Sequence, residues 1–111
     1  MIQAVGKITV TVAGVPVIVS TGAALSPGRY ACHEVLIQAL PTNVGKVYIG
    51  TATMNKATFT NLFAVLAVPT ANQIPTFSAA LTLSAAAIDL TDLYIDADAA
   101  NDGVIVTVLI T

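Results

Sequence analysis

Hydrophobic and polar positions alternate through most of this chain, in short runs separated by turn residues. Across Gly6–Val12, Ile8, Val10 and Val12 alternate with Lys7, Thr9 and Thr11, which predicts a strand with one buried and one wetter face. Ala13-Gly14 interrupts the run, and Val15, Val17 and Val19 resume the alternation around Pro16 and Ile18. A proline cannot donate to a ladder, so this second run suits an edge strand or the first residues of one. Together the two runs predict a hairpin.

The strongest signal lies in Val35–Thr51, where Val-Leu-Ile-Gln-Ala-Leu and Lys-Val-Tyr-Ile-Gly-Thr flank the turn-prone Pro-Thr-Asn-Val-Gly. It reads as an antiparallel hairpin at the centre of a sheet, with Asn43 and Gly45 expected to carry the positive φ of a tight loop. Val35, Ile37 and Ala39 share one face, and Leu36 and Leu40 join Glu34 and Gln38 on the other, so this strand is expected to be covered on both sides. Gly103–Thr111 has the same property, with Val104, Val106, Val108 and Ile110 on one face and Ile105, Thr107 and Leu109 on the other. Elsewhere, Thr21–Gly28 and Pro69–Pro75 read as loops and Met54–Ala57 as a polar connection. Thr58–Val68 reads as extended, despite a helical stripe of Leu62, Phe63, Leu66 and Ala67, with a short helical turn near Asn61 as the alternative. Phe77–Leu83 is a strand, Ser84–Ile88 a turn or brief helix, and Leu93–Asp96 a strand that follows an acidic turn. About eight short strands without a long helix predict one all-β domain over residues 1–111, an antiparallel β-sandwich of jelly-roll-like or immunoglobulin-like type.

Composition changes the picture at the surface. Charged residues are 9% of the chain and apolar residues 56%, against about 25% and 45–50% in an ordinary soluble domain. A domain of this length buries only about two-thirds of its unfolded surface, so much apolar surface is left over for contacts with other chains. The two richest strands and the tyrosine beside them are the expected contact elements, through Val35, Ile37, Tyr48, Val104, Val106 and Val108. The net charge is −2, and Lys7, Arg29, Lys46 and Lys56 are widely spaced, which disfavours nucleic-acid binding by phosphate neutralisation. Two uncharged tracts, Ile8–Gly28 and Ala57–Ile88, are broken by Pro, Gly and polar residues and are not expected to span a membrane. Lys7 is followed by Ile-Thr-Val-Thr-Val rather than a continuous Leu/Ala block, so no export signal is expected.

Little of the sequence suggests chemistry. Cys32 and His33 are neighbours, and on a strand adjacent side chains point to opposite faces, against a catalytic pair. Five of the six acidic residues lie between Asp89 and Asp102. Asp96, Asp98 and Asp102 make a fragment of a calcium-loop pattern, but Gly103 stands two positions late and Thr107 replaces the bidentate Glu. The reading preferred to a metal site is a hairpin turned by Asn-Asp-Gly, with aspartates that keep an edge soluble. Asp96 and Asp98 as paired hydrolytic carboxylates lack an orienting partner, and the phosphate-loop, dinucleotide, serine-hydrolase and zincin motifs are absent from the sequence. No enzyme activity and no cofactor are expected.

The run Val35-Leu-Ile-Gln-Ala-Leu-Pro-Thr-Asn-Val-Gly-Lys-Val-Tyr-Ile-Gly50, the later Asp89-Leu-Thr-Asp-Leu-Tyr-Ile-Asp-Ala-Asp98 and the terminal Gly-Val-x-Val-x-Val strand resemble small β-sandwich virion proteins of tailed bacteriophages. Within that group the chain is most similar to capsid decoration, or cement, proteins. The resemblance implies a structural protein without an active site, made in the host cytoplasm and bound outside the capsid as a homo-oligomer, with a trimer expected. Its partner would be the major capsid protein, with neither nucleic acid nor membrane as a partner. A head-fibre, tail or baseplate module is the alternative in the same class. A calcium- or carbohydrate-binding module is the alternative from another, with Tyr30, Tyr48 and Tyr94 as the sugar-facing aromatics.

Overall fold

The computed structural model describes residues 2–19, 31–68 and 80–109, with the side chains of these residues apart from 3, 31–33, 85–89 and 91. Its strands are β1 (Ile2–Thr9), β2 (Val17–Ile18), β3 (Ala31–Ala39), β4 (Val47–Asn55), β5 (Thr60–Leu66), β6 (Ala80–Asp89), β7 (Tyr94–Ala97) and β8 (Gly103–Leu109), with a 3-10 turn at Leu90–Asp92. They form two antiparallel sheets of four strands, ordered β1-β8-β3-β6 and β2-β7-β4-β5. The expected all-β sandwich is what forms. The ladders nest, β1 with β8, β2 with β7, β3 with β6 and β4 with β5, as if one long hairpin had been folded over on itself. That is jelly-roll connectivity. An immunoglobulin sandwich would instead set its first two strands side by side in one sheet.

Between the sheets, alternate residues supply the core: Ile8 from β1, Val35, Ile37 and Ala39 from β3, Val104, Val106 and Val108 from β8, and Val47, Ile49, Leu66, Ile95 and Ala97 from the opposite sheet. The residues expected to form an interface, Val35, Ile37, Val104, Val106 and Val108, are therefore corrected to core, with no surface left to offer a partner. The period of two was read correctly, but the richer apolar face of each strand turns inward because the second sheet lies there. Tyr48 is also buried, on the outer side of its sheet. Within one chain β3 and β8 are covered on a single face, and their other faces leave Ile105 and Leu109 exposed and Leu36 half-buried.

The three tight turns read as hairpins are sheet crossings. β1 and β2 lie in opposite sheets, and so do β3 and β4, and β7 and β8. A connector of five to seven residues spans the ~10 Å between packed sheets as readily as it reverses a strand, and strands with apolar residues on both faces carry no local preference between the two. Asn43 and Gly45 do not have positive φ; Phe59, Asn61 and Asn101 do, with Gly6 and Gly14. Ser84–Ile88 continues β6 rather than turning. Thr60–Leu66 is extended as expected, and Pro16 stands just before β2, a two-residue edge strand. The loops expected at Thr21–Gly28 and Pro69–Pro75 lie outside the described residues, as does the Cys32–His33 side-chain pair. Among the described residues no helix is long and apolar enough to cross a membrane.

Candidate functional site

The β1–β2, β3–β4 and β7–β8 crossings meet at one end of the sandwich, which is where the candidate metal ligands lie. The backbone ties the crossings first. Val10 N–H donates to the Asp102 carbonyl at 2.8 Å and Asn101 N–H returns to the Val10 carbonyl at 2.7 Å, while Leu40 N–H donates to the Gly103 carbonyl at 3.0 Å. Asn43, buried between the crossings, then binds both backbone groups of one residue: its Nδ2 donates to the Gly103 carbonyl at 2.8 Å and its Oδ1 accepts from Gly103 N–H at 2.9 Å. An asparagine is required because only a side chain with both donor and acceptor satisfies the two.

Each of the three candidate metal ligands is engaged by protein donors. Asp102 is buried and accepts the N–H groups of Val44 and Gly45, the latter at 2.7 Å. Asp96, also buried, accepts Gly14 N–H at 2.9 Å and Ala97 N–H at 2.7 Å. Asp98 is exposed, accepts the Tyr48 hydroxyl at 3.1 Å, and lies 3.6 Å from Lys56 Nζ. Among the described residues no three His, Cys, Asp or Glu side chains converge as a ligand set. The carboxylates act as caps on loop N–H groups that no ladder pairs. Asp96 and Asp98 share no open cleft in the manner of a hydrolytic pair, because Asp96 is enclosed and Asp98 faces Tyr48 and Lys56.

Lys56 reaches into this corner from the β4–β5 turn. Its Nζ donates to the Ala97 carbonyl at 2.6 Å and lies 6.0 Å from the centre of the Tyr48 ring. Burial holds the Tyr48 phenol above its ordinary value of 10.0, and the hydrogen bond to Asp98 and the negative charges of Asp98 and Asp96 add to the effect. The folded chain therefore keeps this proton at a pH where the unfolded chain begins to release it. This contribution to stability is complete below about pH 10 and is lost as pH rises through the folded-state value. Chemical denaturation across the alkaline range should show stability falling from about pH 10. Tyr48→Phe should flatten that dependence, and an unchanged slope in the variant would refute the linkage.

Two open depressions lie away from this corner. One, on the outer face of the β1-β8-β3-β6 sheet, is lined by Ile2, Glu34, Leu36, Thr107 and Leu109. The other, on the β4–β5 side, is lined by Thr51, Thr53, Phe63, Asp92 and Tyr94. Sequence reading missed the roles of Asn43, Gly45 and Lys56, whose partners are distant in the chain; the only local signal was a polar residue inside an apolar turn. Comparison with family models, with curated proteins and with solved structures finds no match to this chain.

Proposed function

We propose that this chain is a structural virion protein of a tailed bacteriophage, which binds the outside of the capsid as a decoration protein and clamps neighbouring major capsid subunits. The observation that carries the reading is how polar and apolar side chains are shared out. Five polar side chains, Asn43, Tyr48, Asp96, Asp98 and Asp102, are held in bonds that tie loops together. By contrast, large apolar side chains stand in solvent, among them Ile2 at 76%, Phe63 at 56% and Val44 at 75% exposure. A rigid β-sandwich with an apolar exterior is suited to a contact role, in which many copies on one shell add avidity to a modest interface. The phage placement itself rests on the sequence resemblance, because a jelly roll hosts lectin and cupin functions as well as capsid ones. The carbohydrate alternative loses Tyr48, whose ring is buried and whose hydroxyl is engaged by Asp98.

The test is co-sedimentation of the purified chain with expanded, undecorated capsids. A fixed number of copies per capsomer, saturating with concentration, is the expected result. Absence of saturable binding to the shell would overturn the reading.

A further inference from the structure

Natural sheets protect their free edges with charge, proline, bulges or shortness, and three of the four edges here are protected. The β1 edge carries Lys7 and a register shift at Gly6, whose φ is +104°. The β2 edge is two residues long and follows Pro16. The β5 edge is interrupted by register shifts, and Asn61 within it has φ +57°. The β6 edge differs. From Ala80 to Ser84 it runs in unbroken register against Gln38 to Glu34, without charge or proline, and the register shift falls beyond Ser84. Among the described residues no strand bonds to its outer side.

The same five residues are nearly palindromic: Ala80-Leu81-Thr82-Leu83-Ser84 reads almost identically in both directions. An antiparallel strand paired about a two-fold axis sets a residue opposite its mirror position in the segment. With the axis at Thr82, Thr82 meets its own copy, Leu81 meets Leu83 and Ala80 meets Ser84. Thr–Thr and apolar pairs are among the favourable cross-strand combinations. Leu81 and Leu83 pack against the core yet remain half-buried, as do Leu62 and Ala64 of β5. A second β6 laid alongside would cover the leucines. This segment lies in the uncharged tract Ala57–Ile88, so a second copy meets no like charge there.

We propose that β6 is a self-association edge: two copies of this chain pair antiparallel through Ala80–Ser84, which joins their β1-β8-β3-β6 sheets into one continuous sheet across a two-fold axis. This deepens the assembly part of the function proposed above and rests on that part alone. A pairing of this length is a small interface. It is therefore concentration-dependent in solution and strengthened where a surface holds many copies.

The experiment is native mass spectrometry and sedimentation velocity of the purified full chain up to about 1 mM, at low and high salt, without capsids. Wild type should form a dimer whose population is insensitive to salt. Thr82→Lys sets two like charges at the axis and should abolish the dimer, as should Thr82→Glu. The two variants mixed should restore a one-to-one heterodimer, which salt weakens; a misfolded pair would not recover. Ile105→Lys, on the outer face of β8, should leave the dimer intact. A wild-type monomer at every concentration, or an oligomer that survives Thr82→Lys, overturns the proposal. Because capsids are absent, failure here is distinct from failure to bind a shell.

Discussion

Replacement of Gly103 by alanine should cost this protein more than about 3 kcal/mol, the range reached when a substitution forces backbone apart in a packed interior. Gly103 opens β8 where three chain segments converge. Its N–H and carbonyl are both held by Asn43, and its carbonyl also accepts from Leu40 N–H. A Cβ at this position would be driven into the Ile8 carbonyl and would lie 2.8 Å from the Cα of Thr9. Both obstacles are main chain, so no rotamer change relieves them, and β1 would have to withdraw from β8 at Thr9↔Gly103. At about 4 °C per kcal/mol for a domain near this size, the expected fall in melting temperature is roughly 12 °C or more. Calorimetry of Gly103→Ala checks this, and a melting temperature within a few degrees of wild type would show that the β1–β8 approach is looser than described.

Asn43→Ala should be the second most damaging of these changes, by about 2–4 kcal/mol, since it removes two hydrogen bonds and leaves a buried N–H on Gly103 unpaired. The Gly103 carbonyl keeps its bond from Leu40 N–H, which sets the upper limit. Asn43→Asp separates the two halves of the effect. The aspartate still accepts from Gly103 N–H but cannot donate to the carbonyl, and it adds a further carboxylate to a corner that already holds Asp96, Asp98 and Asp102. Urea denaturation of both variants reads the difference. Loss of less than about 0.5 kcal/mol in the alanine variant, the size of an ordinary surface change, would remove Asn43 from the role of clamp.

How far the corner could be read in advance depends on which residues are considered. The acidic content of Asp96–Asp102 was plain, and so was the mismatch of Gly103 and Thr107 to a calcium loop. What the carboxylates bind was not, because apart from Ala97 their donors, Gly14, Val44, Gly45 and Tyr48, lie far away in sequence. Gly45 was read as a source of positive φ. In the structure a Cβ there would lie 2.9 Å from Cβ of Asp98, so close approach of the β7–β8 crossing is what requires glycine.

The alternation of Val104, Val106 and Val108, or of Val35, Ile37 and Ala39, determined by itself that these segments are strands and which side chains share a face, because a pleated backbone leaves no other period. About eight such runs, separated by turn residues and without a long helix, determined the all-β class in the same way. Pairing was left to the tertiary structure. Local pattern is identical for a strand that turns back beside its predecessor and for one that crosses to the facing sheet, and the choice depends on long-range burial. Folded into nested ladders, β3 and β4 each gain an interior position in a different sheet, with their apolar faces turned towards one another. That arrangement turns the face of Val35 and Ile37 onto the facing sheet, which puts the supposed interface residues in the core.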